Sequence, residues 1–327
     1  MTDLYSSRHW AAPTVLGIGE AMLEFAATGG DAYRRGFAGD TLNTCWHMAA
    51  LLGDAAQVGY CTRVGPDPFS DELLAFIEAS GMHTRHVSRD PERTLGLYVI
   101  RLEGAERHFS YWREQSAARR LADDGEALAA AVRGAGLVHV SGITLAVIGQ
   151  SGRRHLIDAL RQARADGTVV SFDPNLRWRL WRDRDELCRA TLDMLDVVDI
   201  ALPSFDDEAQ LWGDADPQAT LDRLARAGVG EVAVKNGAGD LWLGVGGQVS
   251  RLATPPVERV VDTTGAGDAF NAGYLAARLC GRGTAQAGRF GQRVAGEVIG
   301  HYGAMAPRST LAPMREALLG ARGDACD

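Results

Sequence analysis

Four short apolar runs in the second half of the chain decide its fold class: LVHVSG (residues 137–142), TVVSFD (168–173), VVDIALP (197–203) and EVAVKNG (231–237). The segments between these runs place apolar residues at helical spacing, and most of them end in glycine, as helices often do. This alternation predicts repeated βα units around a mainly parallel sheet. Ligands of open α/β sheets bind beyond the carboxyl ends of the strands, so we expect a site in the loops that follow these runs.

The first third of the chain has a different pattern. The stretch VLGIGEAMLEF (15–25) leads through a glycine-rich segment to Phe37, and a helix is predicted over 41–52. GLYVIRL (96–102) and ERHFSYW (106–112) alternate apolar and polar side chains across a short link, which is typical of a β-hairpin. We predict a single domain over 1–327, with a small β lid formed by inserted segments at about 20–38 and 95–114.

The composition limits the choice of partner. The chain has 327 residues, of which 46% are apolar and 23% charged, and this is typical of a globular protein. Its net charge is −8, and Lys and Arg do not form a block. Nucleic acids and anionic membranes both need a basic surface, so neither is an expected partner.

The cysteines and the chain ends predict a cytoplasmic protein. The five cysteines are scattered without a CxxC pair, which favours reduced thiols (Cys45, Cys61, Cys188, Cys280 and Cys326). Residues 1–13 lack the apolar run of a signal peptide. The longest uncharged stretch, 134–152, is interpreted as a buried strand plus a loop. A helix is expected over 313–327, with its proline in the first turn.

The strongest chemical motif is DTTGAGDAFNAG at residues 262–273. Its glycines precede a helix predicted from Ala266 to Cys280, and the first N–H groups of a helix form an anion site at the positive end of the dipole. Asp268 falls in the first turn of that helix. A carboxylate repels a neighbouring phosphate, so we interpret Asp268 as a general base that accepts a hydroxyl proton. The alternative is an ordinary turn followed by a helix-capping acid.

Two nucleotide-binding patterns are excluded. Gly17 and Gly19 lack the third glycine of a dinucleotide fingerprint, because Met22 stands in its place. The chain also lacks the Gly-Lys-Ser or Gly-Lys-Thr of a Walker loop. The histidines show no metal-ligand spacing, so a protein-held transition metal is not expected.

The DTTGAGDAF segment resembles the C-terminal motif of the PfkB, or ribokinase-like, carbohydrate kinases. AGDTLN (38–43) is similar to the glycine-pair-then-Asn motif of that family, with Ala38 in place of the first glycine. The resemblance covers essentially the whole chain. It implies a three-layer α/β/α sandwich with a β lid and the use of ATP and Mg²⁺. It also implies an active site of Asp268 with Gly265, Ala266 and Gly267.

Several other stretches resemble family members that phosphorylate a 2-keto-3-deoxy sugar acid, such as 2-keto-3-deoxygluconate, at its 6-hydroxyl. They are GIGEAMLEF, RTLGLYVI, RHFSYWREQSAAR, SGITLA, SFDPNLRWRLW and PSFDDE. The resemblance implies that six residues contact the sugar acid: Gly39, Asn43, Tyr98, Tyr111, Arg113 and Arg177.

The two arginines support an acidic substrate independently, because a guanidinium fork suits a carboxylate. The alternative is that Tyr98 and Tyr111 only fill the lid interface and that Arg177 pairs with Asp173 or Asp185. Trp112 and Trp178, which adjoin the two arginines in sequence, are interpreted as packing residues.

The nucleotide side of the site departs from the family pattern. Residues 235–240 (KNGAGD) resemble the Lys-x-Gly-x-x-Gly loop along the ATP phosphates, but the second glycine is displaced by one position. The expected nucleotide contacts are Ser204, Lys235, Gly237, Gly239, Gly265 and Gly267. Ser204 stands where relatives carry the Asn of Asn-x-x-Glu. Either Asp207 or Glu208 is then expected to order water around magnesium, which the protein does not hold firmly itself. The adenine is expected near 292–306.

Two alternatives to this function remain open, and the oligomeric state is a separate question. The acceptor could be another sugar acid, a neutral sugar or a nucleoside, with the same Asp268 chemistry. A non-catalytic sugar-acid sensor on the same fold would explain the altered nucleotide loop. A homodimer through the lid is also expected, because an apolar lid would be unsatisfied alone.

Overall fold

The computed structural model describes residues 13–103 and 106–320. Its strands, numbered in chain order, are β1 (Thr14–Ile18), β2 (Met22–Gly29), β3 (Ala32–Ala38), β4 (Gln57–Val64), β5 (Met82–Arg89), β6 (Gly96–Glu103), β7 (Glu106–Trp112), β8 (Leu137–Ser141), β9 (Val169–Asp173), β10 (Ile200–Ala201), β11 (Glu231–Val234), β12 (Leu241–Val245) and β13 (Gln248–Leu252). The α-helices are α1 (Asp40–Leu52), α2 (Pro68–Ala79), α3 (Gly125–Val132), α4 (Gly142–Ala165), α5 (Arg184–Leu195), α6 (Phe205–Trp212), α7 (Pro217–Arg226), α8 (Ala266–Leu279), α9 (Thr284–Val298) and α10 (Arg308–Gly320).

The large sheet has the order β13-β12-β11-β10-β9-β8-β1-β4-β5. All neighbouring pairs from β5 to β11 are parallel, and β12 and β13 continue the sheet as an antiparallel hairpin. One apolar core packs α1, α8, α9 and α10 against one face of the sheet, and a second packs α3, α4, α5 and α7 against the other. The predicted α/β fold class with a mainly parallel sheet between two helical layers is confirmed.

A second, smaller sheet has the order β3-β2-β6-β7. Strands β6 and β7 form the predicted antiparallel hairpin, whose connection at 104–105 lies outside the described residues. The register places Glu24 beside Tyr98 and Tyr98 beside Tyr111, so three neighbouring strands present these side chains on one face.

Two predicted elements in the middle of the chain differ from the observed ones. The run 197–203 keeps only Ile200 and Ala201 as a strand. Val197 and Val198 close the turn after α5, with N–H bonds to the carbonyls of Met194 and Leu195, and Pro203 cannot donate a ladder hydrogen bond. The loop expected within 134–152 is wrong, because α4 starts directly after β8. The hydroxyl of Ser141 accepts the N–H of Thr144 at 3.3 Å and caps this helix.

The C-terminal helix starts earlier than predicted. It begins at Arg308, so Pro313 lies inside the helix and the prediction of a proline in the first turn is wrong. The predictions for residues 1–12, for Cys326 and for the helix beyond residue 320 lie outside the described residues. Within the described residues, no helix combines the length and the apolar character needed to cross a membrane.

Candidate active site

The glycine motif forms the start of α8. Gly265 precedes the helix with a φ of 74°, and a Cβ there would lie 2.7 Å from the Cβ of Ala304, so only glycine fits. The first helical hydrogen bond runs from the N–H of Ala269 to the carbonyl of Gly265 at 2.8 Å. The N–H groups of Gly267 and Asp268 precede that bond at the positive end of the helix, where a bound anion would be stabilised.

The N-terminal motif meets the C-terminal motif at Asp268. Asn43, in the first turn of α1, donates its Nδ2 to Oδ2 of Asp268 at 2.8 Å, although 225 residues separate the two. Gly39 precedes α1, and a Cβ there would come within 2.2 Å of the carbonyl oxygen of Glu20. A glycine at 39 therefore permits the close approach of the chain that brings Asn43 to Asp268.

The surroundings of Asp268 favour its protonated form. Burial of the carboxyl, then the negative charge of Asp40 and that of Asp173, raise its pKa well above the ordinary value for an aspartate. The bond from Asn43 and the charge of Lys235 oppose this shift without cancelling it. A carboxylate with an elevated proton affinity suits a general base.

Lys235, at the end of β11, belongs to a closed ring of buried polar groups. Its Nζ donates to Oδ2 of Asp173 at 2.7 Å and to Oδ1 of Asn271 at 3.1 Å. The Nδ2 of Asn271 also donates to Oδ2 of Asp173 at 2.7 Å. Although burial raises the pKa of Asp173, the bonds from Lys235 and Asn271 hold it below the ordinary value. A Cβ placed on Gly267 would lie 3.5 Å from Nζ, so the ammonium lies next to the glycine motif.

The smaller sheet and the segments next to it carry two buried glutamates, each of which is bonded to another side chain. Arg113 is ion-paired to Glu20, and both side chains are buried. Tyr98 donates its hydroxyl to Glu24. Burial and the neighbouring Glu24 raise the pKa of Tyr98, which keeps the phenol protonated. The ring of Tyr111 lies 5.7 Å from that of Tyr98, and Tyr111 is half exposed.

The structure partly corrects the expectations for Arg177 and the tryptophans. Arg177 is exposed, donates to the carbonyl of Leu176 at 2.8 Å and lies 3.8 Å from Asp207, so pairing with Asp173 or Asp185 is wrong. Trp178 packs against a small apolar cluster, as predicted. Trp112 is 59% exposed, and its interpretation as a packing residue is therefore wrong.

Asp207 and Glu208 are two of the three acids in the first turn of α6. Asp207 accepts the N–H of Leu176 at 3.2 Å, and its pKa is raised by burial. Glu208 is buried and accepts Nη2 of Arg223 at 2.6 Å, and burial raises its pKa to about 7. Its Oε1 has no hydrogen-bond partner within the described residues. Ser204 precedes the helix and pairs with Lys235 through a parallel bridge, which joins this segment to the lysine.

The loop after Lys235 is a tight turn. Gly237 has a φ of 53°, and the N–H of Gly239 donates to the carbonyl of Asn236 at 2.7 Å. A Cβ on Gly239 would come within 2.5 Å of the Asn236 side chain, so the displaced glycine still permits the turn. The expected adenine-proximal stretch lies beside the glycine motif instead, because a Cβ on Gly265 would come within 2.7 Å of Ala304.

Sequence reasoning missed the partners of the expected site residues. Asp173, Asn271, Glu20, Glu24 and Arg223 each bond to a side chain of the site, and none was assigned a role. Asp173 and Asn271 carried a signal, because the first ends a predicted strand and the second lies one helical turn after Asp268. The lid acids had no comparable signal.

A buried carboxyl group at a helix start, an adjacent ammonium and an α/β/α sandwich with a small second sheet are the arrangement expected of a phosphotransferase of the ribokinase-like class. The model of the pfkB family carbohydrate kinases matches residues 14–311, and the chain belongs to that family. The predicted family and the predicted carbohydrate kinase activity are confirmed.

Curated relatives match nearly the full chain. The 2-dehydro-3-deoxygluconokinase of Dickeya dadantii is 40% identical over 302 residues, which cover 90% of this chain and 97% of the relative. That of Escherichia coli K12 is 38% identical over the same coverage. A solved E. coli structure, a putative ribokinase II in complex with ATP and Mg²⁺, has a TM-score of 0.81 at 23% identity and covers 94% of this chain and 99% of its own. That structure supports the fold alone.

Proposed function

We propose that this kinase transfers the γ-phosphoryl group of ATP to the 6-hydroxyl of 2-keto-3-deoxygluconate, the sugar acid also called 2-dehydro-3-deoxygluconate. The observation that carries the proposal is the bond between Asn43 and Asp268, which brings the two family motifs to one point. The names of the curated relatives support the acceptor.

Asp268 accepts the hydroxyl proton in the proposed reaction. The hydroxyl oxygen forms a bond to the γ-phosphorus as the bond from phosphorus to the β,γ-bridging oxygen breaks, and the electron pair of that bond leaves with ADP. The N–H groups of Gly265, Gly267 and Asp268 would stabilise the charge on the phosphoryl oxygens. The N–H of Ala266, which was also expected to contribute, donates to the carbonyl of Thr263 at 3.2 Å instead. The lid excludes water, which would otherwise accept the phosphoryl group.

The acceptor is held at both ends in this proposal. Gly39 and Asn43 border the hydroxyl that reacts, and Arg113 and Arg177 bind the carboxylate. The ion pair with Glu20 uses Nη2 of Arg113, and Nε of the same guanidinium has no partner within the described residues. Arg113 therefore keeps donors for a ligand.

The two lid tyrosines contact the sugar in different ways. Tyr98 commits its proton to Glu24, so its oxygen offers a lone pair to a sugar hydroxyl. Tyr111 covers the sugar with its ring. These roles depend on a hydroxyl-bearing substrate beneath the lid.

The nucleotide would lie along Ser204, Lys235, Gly237 and Gly239 and reach Gly265 and Gly267 with its terminal phosphate. The acids of α6 fit a water-mediated magnesium ion, because Glu208 has a buried, unbonded oxygen within the described part of the chain. Asp207 or Glu208 would accept hydrogen bonds from the water shell. Magnesium bound with ATP would neutralise phosphate charge.

Three further assignments belong to the same proposal. We interpret the chain as one kinase domain over 1–327, with segments 20–38 and 95–114 forming the lid. A homodimer through the lid is supported by the exposed aromatic side chains of β7, Phe109, Tyr111 and Trp112. A kinase that uses ATP and carries scattered cysteines is expected in the cytoplasm. Nucleic acids and membranes are not proposed as partners.

The test is an ADP-release assay with ATP and magnesium against 2-keto-3-deoxygluconate, 2-keto-3-deoxygalactonate, gluconate, fructose, ribose and adenosine. Turnover confined to the 2-keto-3-deoxy acids, and lost in Asp268→Asn, supports the proposal. Turnover on a neutral sugar would retain the kinase chemistry and refute the carboxylate pocket. Binding of a sugar acid without turnover on any acceptor would indicate a sensor.

A further inference from the structure

Asp173, Lys235 and Asn271 form a ring of hydrogen bonds that can hold the lysine ammonium in one position. All three side chains are nearly or fully buried, and every bond in the ring joins a different secondary-structure element: β9, the end of β11 and α8. Two anchors therefore fix one ammonium group in a place where it cannot follow a mobile ligand.

Counting donors leaves one N–H of Lys235 for a ligand. A lysine ammonium has three N–H donors, and here two are used by Asp173 and Asn271. A Cβ on Gly267 would lie 3.5 Å from Nζ. Apart from the chain neighbours Ala266 and Asp268 and the backbone of α8 itself, no other described atom lies within 4 Å of that position. Open space of this kind beside the helix start is where a phosphoryl oxygen would lie.

We propose that Lys235 is a catalytic residue that donates its remaining N–H to the phosphoryl group during transfer, and that Asp173 and Asn271 are positioning residues for it. The inference rests on the proposed function. As the oxygen–phosphorus bond to ADP breaks and the bond to the acceptor oxygen forms, the fixed ammonium stabilises the charge on the moving group. The acceptor proton still goes to Asp268.

The rigidity of the Lys235 side chain decides whether it stabilises the ground state or the transition state of phosphoryl transfer. A flexible lysine would follow the γ-phosphate of bound ATP and stabilise the ground state as much as the transition state, which does not accelerate the chemical step. An ammonium held by two anchors contributes most when the phosphoryl group has moved toward the acceptor. The competing explanation is structural: the ring only ties β9, β11 and α8 together.

The experiment is a double-mutant cycle in kcat with Lys235→Gln, Asn271→Ala and the double variant, together with the Kd for ATP by calorimetry. We expect Lys235→Gln to lower kcat by about 100-fold or more, the typical loss when one charge-stabilising donor is removed. The Kd for ATP is expected to stay within about threefold, since transition-state and ground-state binding separate in this way. Asn271→Ala should lower kcat by about tenfold alone and have no further effect beside Lys235→Gln, because it acts through the lysine.

A matched control is available on the same helix. The hydroxyl of Tyr274 donates to Oε1 of Glu231 at 2.7 Å, a buried bond that also joins α8 to β11 but lies at the other end of that strand. Tyr274→Phe should lower the thermal midpoint and leave kcat within about twofold.

Three outcomes would overturn the inference. They are a kcat for Lys235→Gln within threefold of wild type, a loss in ATP affinity that equals the loss in kcat, and additive effects in the double variant. If Lys235→Gln does not fold, Lys235→Arg and Asn271→Ala carry the same test, and normal kcat in both contradicts the proposal. Wild-type enzyme that turns over none of the acceptors would refute the proposed function itself, a result separate from these.

Discussion

Asn43 donates its side-chain amide to the carboxylate of Asp268 at 2.8 Å, which joins the start of α1 to the start of α8. The bond favours the ionised carboxylate, whereas burial and Asp40 favour the protonated one. The proton affinity of Asp268 therefore depends on a residue from the other half of the chain.

Removal of that bond is expected to shift the pH dependence of activity. Without the amide of Asn43, the pKa of Asp268 rises further, and the base must be ionised to accept a proton. In Asn43→Ala, the acid limb of the kcat/KM profile should therefore move to higher pH, with kcat lowered about tenfold at neutral pH. The check is a pH–rate profile of both proteins between pH 5 and 9. An acid limb that does not move would show that Asn43 has no influence on the base.

Asp268→Asn is expected to abolish turnover, with a loss of about 10²- to 10⁴-fold. It should also stabilise the protein at alkaline pH. The folded-state pKa of Asp268 lies above the unfolded value, so the carboxyl contributes most stability below the unfolded pKa, and that contribution is lost as pH rises through the folded pKa. The variant lacks this loss and should exceed wild type by about 1 kcal/mol or more at pH 9, since one pKa unit corresponds to 1.4 kcal/mol. Thermal unfolding at pH 5 and pH 9 measures the difference, and equal pH slopes would contradict the shift.

The Tyr98–Glu24 pair is expected to control affinity for the acceptor. Tyr98→Phe removes the proton donor and leaves a buried carboxylate without its partner, a change that costs about 1–3 kcal/mol. We expect the KM of the sugar acid to rise about tenfold or more while the KM of ATP changes little. Tyr33→Phe is the control, because Tyr33 is an exposed lid tyrosine. Equal effects of both variants would assign Tyr98 to packing alone.

A substitution of Arg177 tests the proposed binding of the substrate carboxylate without disturbing the fold. Its side chain is 54% exposed, so Arg177→Gln should leave the thermal midpoint unchanged. If the guanidinium binds the substrate carboxylate, the KM of the sugar acid should rise about 10- to 100-fold. Arg182→Gln, another exposed arginine, is the control and should have no effect. An unchanged KM in Arg177→Gln would remove Arg177 from the pocket.

A substitution of Arg113 is less suited to testing the binding of the substrate carboxylate. Its partner Glu20 is buried, and removing one member of a buried ion pair typically destabilises a protein by about 3–5 kcal/mol. A fall in activity would then not separate binding from folding. The pairing itself was not predictable, because the two residues are 93 positions apart in sequence.

The fold class, the family and the place of Asp268 in its motif can be predicted from the sequence alone. Apolar periodicity reports which segments become strands and helices, and the glycines at 39 and 265 mark places where backbone must approach backbone. These are local properties, so they can be read from consecutive residues.

The pairing of the charged side chains could not be predicted and follows from the folded arrangement of the chain. Asp173, Lys235 and Asn271 form one ring, Glu20 meets Arg113, and Glu208 meets Arg223, although the members of each set lie on different elements. Such pairings depend on how helices and strands pack. Burial then removes the competing water and strengthens the electrostatic interaction within each pair. The residue types in this active site follow from the sequence, whereas their proton affinities follow from the fold.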